Sequence, residues 1–169
     1  TDQGGYTHQT TVKFLVRDLT EEPSIKLDSN IFNENLKQFS IVSSLSINHP
    51  NLERSYSYVF TNGQGDIDNE LFTIEGSHLK INTAPDYETK SSYAIRLKAI
   101  DSGGESFEQA LTLSVSDVNE TPTAITPSSE SFNENLAVSA TVATLSTTDQ
   151  DGGDTHTYSL VAGNGSGDN

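Results

Sequence analysis

The chain contains no cysteine, no methionine and no tryptophan. Without cysteine, disulfide staples, thiolate zinc sites and cysteine nucleophiles are excluded together. Basic residues are scarce: nine Lys and Arg stand against 24 Asp and Glu, for a formal net charge of −15 and a pI near 4.3. Nucleic acid and anionic membrane are therefore poor partners, since both need a basic surface. No apolar run approaches the length of a membrane-spanning helix, so direct membrane insertion is not expected. Hydrophobic residues make up only 33% of the chain, which allows a thin core and disfavours a thick α/β one. No Gly-x-Ser-x-Gly elbow, phosphate loop or His-Glu-x-x-His motif occurs. The histidines, His8, His49, His78 and His156, show no metal-ligand spacing and read as surface residues. No signal-peptide pattern opens the chain, but it reads as beginning inside a domain, so that absence carries no weight.

What is present is a long internal repeat. Phe32-Asn33-Glu34-Asn35-Leu36 returns as Phe132-Asn133-Glu134-Asn135-Leu136. The same spacing relates Leu45 to Leu145, Tyr58 to Tyr158, Gly63 to Gly163 and Gly65 to Gly165. A second set sits one residue closer: Asp2-Gln3-Gly4-Gly5 with Asp101-Ser102-Gly103-Gly104, Asp18 with Asp117, and Pro23 with Pro122. The one-residue change falls just after the proline, where a loop absorbs it. The unit is thus about one hundred residues, within the usual size of a domain. Residues 1–22 read as the tail of one copy, 23–121 as a complete copy and 122–169 as the front half of a third.

Within the complete copy, period-two alternation marks strands. Tyr93, Ile95, Leu97 and Ala99 are expected to face inward, with Arg96 and Lys98 outward. Phe107, Gln109, Leu111, Leu113 and Val115 follow on one face, and Val12, Phe14 and Val16 take the matching places in the first copy. Shorter strands are expected near 25–32, 39–47, 55–60, 71–75 and 78–82. Seven short strands in about one hundred residues describe a two-sheet sandwich. The incomplete copies predict open edges and an uncovered core, to be completed either by further chain or by strand addition from a neighbour.

Polar motifs sit between these strands. The complete copy carries Asn33-Glu34-Asn35, Asp86-Tyr87-Glu88 and Asp101-Ser102-Gly103-Gly104, and ends in Asp117-Val118-Asn119-Glu120-Thr121-Pro122. The third adds Asp149-Gln150-Asp151-Gly152-Gly153-Asp154. In order and spacing this string resembles the cadherin-repeat signature, and is most similar to the cadherin-like repeats of large bacterial surface and secreted adhesins. The resemblance implies an all-β chain of tandem immunoglobulin-like Greek-key β-sandwiches, one complete repeat flanked by two partial ones. It also implies calcium ions between successive repeats, held by the upper repeat's first loop, its Asp-x-Glu and linker, and the lower repeat's Asp-x-Asp. Carried over, the second junction would use Glu34, Asp86, Glu88, Asn119, Glu120, Asp149 and Asp151. Glu120 stands where the family's linker has Asp, one methylene longer.

The chemistry agrees with that assignment. Calcium takes six to eight hard oxygens, and extracellular modules bind it with dissociation constants of roughly 10⁻⁴ to 10⁻³ M. Clustered carboxylates repel one another until a cation or protons neutralise them. The first junction differs: Thr20 replaces Asn119's residue type, and Asn48-His49-Pro50-Asn51 stands opposite Thr148-Asp149-Gln150-Asp151. Weak calcium binding, or none, is expected there, with a more flexible joint.

Taken singly, the motifs have plainer readings. Asn-Glu-Asn is a common polar turn, and Asp149-Gln150-Asp151-Gly152 is half of an EF-hand loop with no flanking helices. Asn119-Glu120-Thr121 and Asn164-Gly165-Ser166 fit glycosylation sequons. A carboxylate pair could hydrolyse a glycoside, yet each acid cluster is better placed at a junction, so no enzyme is expected. The leading expectation is a calcium-binding structural or adhesive extender of a large bacterial extracellular or cell-surface protein. Its partners would be neighbouring repeats and a homophilic, polysaccharide or cell-surface ligand. The alternative is a carbohydrate-binding module, or an accessory module of a secreted polysaccharide-degrading enzyme. Its candidate aromatic platform is Tyr6, Tyr56 and Tyr87, which are dispersed along the chain.

Overall fold

The computed structural model describes residues 3–5, 7, 9–13, 22–48 and 54–163. Of the first copy's inward set, Phe14 and Val16 lie outside the described residues, and Val12 is exposed. Among the described residues no helix is long and apolar enough to cross a membrane; the one helical element is a 3-10 turn at Asn69–Leu71.

Eight strands build the complete sandwich: β1 (Ser24–Leu27), β2 (Ile31–Asn33), β3 (Ile41–Asn48), β4 (Tyr56–Phe60), β5 (Phe72–Glu75), β6 (His78–Ile81), β7 (Ser92–Asp101) and β8 (Ser106–Ser116). They form two four-stranded sheets, in the orders β1-β3-β6-β5 and β2-β8-β7-β4. All pairings are antiparallel except β2 with β8. Alternation does what the sequence predicts on β7, where Tyr93, Ile95, Leu97 and Ala99 are buried. From the facing sheet, Ile25, Val42, Leu45, Phe72, Leu79 and Ile81 close the core. The Phe72 ring meets the Tyr93 ring edge-on, centroids 5.3 Å apart, a favoured aromatic geometry that ties the two sheets together.

Two details depart from simple alternation. The expected strand near 25–32 is broken in two, and its halves join different sheets. Asp28 makes the break: its Oδ1 accepts from the Ser29 and Ser44 N–H groups and from the Ser43 hydroxyl, at 2.7–2.8 Å. These bonds hold its carboxyl down to about 2, with the Ser44 N–H the largest cause. The second is Gln109, polar on the inward face of β8. Its side-chain amide accepts from the Ile25 N–H at 2.7 Å and donates to the Ile25 carbonyl at 3.3 Å. A buried-facing amide thereby satisfies backbone groups of β1 across the sandwich.

Beyond the sandwich, β9 (Ala124–Pro127) pairs with β10 (Leu145–Thr148). Its register, Ala124 with Thr148 and Pro127 with Leu145, repeats that of β1 and β3, Ser24 with Asn48 and Leu27 with Leu45. Positive φ angles recur at matched positions too, at Asn35 and Asn135 and at Phe39 and Ser139. Ser29 and Ser129 donate to the carbonyls of Ile31 and Ser131 at 2.6 Å each. What does not recur is burial: Phe32 is 7% exposed and Phe132 is 69% exposed.

Candidate metal centre

The acidic motifs converge at one end of the sandwich because three chain segments finish there. β2 ends at Asn33, the Asp86-Tyr87-Glu88 turn precedes β7, and β8 runs out into the linker. Asn35 takes a left-handed turn, φ 57°, which asparagine tolerates better than most residues. That turn sends Glu34 inward, where it is 2% exposed. Glu34 Oε2 accepts from the Tyr87 N–H at 2.8 Å and Oε1 from the Val118 N–H at 2.7 Å. One buried carboxylate thus ties the first loop to the Asp-x-Glu turn and to the linker.

Asp86 is held by its own turn: Oδ1 accepts from the Thr89 N–H at 3.0 Å and Oδ2 from the Thr89 hydroxyl at 2.9 Å. These bonds, the N–H first, keep its carboxyl below the usual range. Glu88 is exposed and accepts from Gln150 Nε2 of the third segment at 3.2 Å. The Glu120 N–H donates to Asp151 Oδ2 at 2.7 Å, a second bond across the joint. The Asp151 N–H donates to Asp149 Oδ1 at 3.3 Å, and Asn119 Nδ2 turns back to the Glu120 carbonyl at 2.7 Å.

Two groups of carboxylate oxygens result. Glu34, Asp86 and Glu88 offer oxygens all within 4.8 Å of one another, and so do Glu88, Asp117 and Asp151. Glu88 is common to both. An open cleft beside them is lined by Tyr87, Glu88, Asp117, Asn119, Asp151 and Asp154. Glu120 and Asp149 belong to neither group. The extra methylene of Glu120 carries its carboxylate to Asn35, whose Nδ2 donates to Oε1.

The electrostatics of this end are unbalanced. Among the described residues, no Lys or Arg forms an ion pair with Glu34, Asp86, Glu88, Asp117, Glu120, Asp149 or Asp151. Glu120 Oε2 and Asp149 Oδ2 are buried without a hydrogen-bond partner; His156 Nε2 stands 3.6 Å from the latter, too far for a hydrogen bond. Desolvation pushes the Asp117 carboxyl up, and Asp151, Glu34 and Asp154 add to it. Desolvation also pushes Glu120 up, against the lowering bond from Asn35, with Glu34, Asp151 and Glu88 reinforcing the rise. Orphaned carboxylate oxygens are costly unless something positive reaches them. The donor set is all oxygen and mostly charged, which suits a hard cation such as calcium and not a thiophilic metal.

Asp117 is the acid that sequence reasoning left out of the ligand set. Its signal was available: it is the linker position that recurs as Asp18. At the first junction, Thr20, His49, Pro50 and Asn51 lie outside the described residues, while Asp101 is described. Its Oδ1 accepts from the Gly103 and Glu105 N–H groups at 2.8 and 2.9 Å, and Arg54 Nη1 donates to its Oδ2. The guanidinium is the first cause of a lowered Asp101 carboxyl.

The fold is that of the cadherin-like, immunoglobulin-like β-sandwich domains. Among solved structures, the chain is similar to extracellular cadherin domains 1–2 of human protocadherin-24, with a TM-score of 0.56, 16% identity, and coverage of 78% of this chain and 61% of that one. It is also similar to extracellular cadherin domains 3–6 of protocadherin gamma B2, with a TM-score of 0.53, 18% identity, and coverage of 77% and 32%. Among curated proteins it is 33% identical over 115 residues to mouse protocadherin Fat 4, covering 66% of this chain and 2% of the relative's length. No family model matches the chain.

Proposed function

We propose that the chain is a calcium-binding structural or adhesive extender segment of a large surface or secreted protein, built from cadherin-like repeats. The units are 1–22, 23–121 and 122–169, and the junction between the last two holds the ion. The observation that carries this is the acidic end of the sandwich: carboxylates from two units and their linker, without an ion pair to Lys or Arg among the described residues, leaving two buried oxygens without a hydrogen-bond partner. Glu34, Asp86 and Glu88 would hold one cation, and Glu88, Asp117 and Asp151 a second, with Asn119, Glu120 and Asp149 around them. A bound ion there stiffens the joint, because the acids of the two units then share one positive centre; without it their mutual repulsion favours separation.

The recurrence of strand register and of left-handed turns one hundred residues apart supports the unit boundaries. An extracellular setting follows from the calcium affinity such modules have. A bacterial source rests on the cysteine-free, Thr-, Ser-, Asn-, Asp- and Gly-rich composition. Neighbouring repeats are the partners at the joints, and an adhesive ligand, homophilic or polysaccharide, is the partner of the whole protein. As a sugar platform the tyrosines serve poorly, since Tyr56 and Tyr87 pack half-buried against the core; Tyr6 lies outside the described residues. Thermal unfolding in EDTA and in millimolar calcium, beside Asp149→Ala/Asp151→Ala, tests the reading. It requires a rise in Tm with calcium that the double variant loses, and a wild type indifferent to calcium overturns it.

A further inference from the structure

The opposite end of the sandwich carries a different solution to the same charge problem. β7 leaves the acidic end at Ser92 and finishes nine residues later at Asp101, roughly 30 Å away at strand rise. There Asp101 is as enclosed as Glu34 at the other end, its side chain 4% exposed. Unlike Glu34, it has a resident cation. Arg54, in the loop before β4, places its guanidinium on Asp101 Oδ2, while Oδ1 gathers the Gly103 and Glu105 N–H groups. Ser102 N–H to the Ser55 carbonyl, 3.0 Å, closes the same two loops on each other. The position one hundred residues after Arg54 is Asp154, which lines the acidic cleft and raises Asp117. One repeat position thus holds a cation at one end and an anion at the other.

We propose that Arg54 is a built-in counter-ion that replaces a divalent cation at the N-terminal end of the complete sandwich, making that end insensitive to calcium. This rests on the calcium reading of the acidic end for its contrast, and on Arg54 and Asp101 alone for its substance. A guanidinium satisfies a carboxylate by directed N–H donors and cannot lose its charge. It therefore fixes the two loops permanently, where a metal would fix them only above its dissociation constant. An array with both kinds of end has some joints that respond to calcium and others that do not.

The test uses the whole chain in the Asp149→Ala/Asp151→Ala background, which silences the acidic end. In that background Tm should be the same in EDTA and in millimolar calcium. Adding Arg54→Gln should speed hydrogen exchange of the Gly103 and Glu105 amides by about tenfold, the loss expected when a charged hydrogen bond goes, and Arg54→Lys should restore part of the protection. A calcium-dependent rise in Tm that survives in the silenced background and disappears with Asp101→Asn overturns the proposal. So does unchanged exchange at both amides in Arg54→Gln. If instead the wild type shows no calcium response, the reading of the acidic end fails alone, and the exchange result still decides the role of Arg54.

Discussion

The two ends of the complete sandwich lie at opposite ends of β7, and they treat their carboxylates in opposite ways. At the C-terminal end Glu34, Asp86, Glu88, Asp117 and Asp151 crowd together with no ion pair to Lys or Arg among the described residues, and desolvation first, then the neighbouring acids, pushes Asp117 and Glu120 up. At the N-terminal end Asp101 meets Arg54 and two backbone N–H donors, and its carboxyl is held down. The same sandwich tolerates both because neither set belongs to the core, which closes between them through Ile95, Leu97 and Leu113. Loops at strand ends are free to change charge without disturbing packing. One of the positions at which the two ends differ is the exchange of Arg54 against Asp154, alongside the replacement of Asn48-His49-Pro50-Asn51 by Thr148-Asp149-Gln150-Asp151.

The largest way to break the contrast is to remove the scaffold of the acidic end. Glu34→Ala strands the Tyr87 and Val118 N–H groups inside the fold, and should destabilise the sandwich by about 3 kcal/mol in denaturant unfolding. Glu34→Gln keeps an acceptor for one of those donors. It should lose clearly less stability in EDTA, yet respond less to calcium than the wild type. Next in size is the ion itself. At calcium tenfold above its dissociation constant, binding to the native state alone adds about 1.4 kcal/mol, and Asp149→Ala/Asp151→Ala should abolish that increment in a calcium titration of Tm.

Much of this contrast was legible in the sequence, and the part that was not has definite causes. Period-two alternation placed Tyr93, Ile95, Leu97 and Ala99 correctly, because a two-layer sandwich buries one face of each strand. The resemblance to cadherin repeats implied a set of Glu34, Asp86, Glu88, Asn119, Glu120, Asp149 and Asp151, of which Glu34, Asp86, Glu88 and Asp151 fall in the two carboxylate groups although they are far apart along the chain. Alternation could not reveal the break at Asp28, since it depends on where Ser43 and Ser44 arrive from β3. Nor could spacing show that Glu120 reaches Asn35 instead of the carboxylate groups, which is a matter of one methylene in three dimensions. Arg54 was passed over for the same reason: its importance lies in a contact with Asp101, 47 residues on.

A smaller effect sharpens the joint itself. Gln150 is the neutral donor that reaches from the third segment to Glu88. Gln150→Ala removes one exposed hydrogen bond, worth about 0.5 kcal/mol. Isothermal calorimetry should show a modest loss of calcium affinity, within about threefold, and unchanged stability of the sandwich in EDTA. A loss as large as that of the Asp149 and Asp151 double variant would mean that Gln150 organises the cation site and does not merely border it.

The smallest expected effect is the most diagnostic, because it differs in sign between the two ends. Asp101 has a folded carboxyl below its ordinary 3.8, so it contributes stability present above that value and lost as pH falls through the depressed one. Asp117 and Glu120 have folded carboxyls above their ordinary 3.8 and 4.5. Their contribution is present below those values and lost as pH rises through the raised ones. In EDTA, mild acidification from neutral should therefore relieve the C-terminal end before it weakens the N-terminal end. The effect at the C-terminal end is small because Asp117 is exposed and Glu120 is only half-buried, so solvent screens them. Unfolding of Glu120→Gln and Asp101→Asn across roughly pH 3 to 7, the range in which carboxylates titrate, measures it. The advantage of Glu120→Gln over the wild type should grow as pH rises, and the deficit of Asp101→Asn should shrink as pH falls. Millimolar calcium should remove the first trend, since a bound cation favours the charged carboxylates, and leave the second untouched.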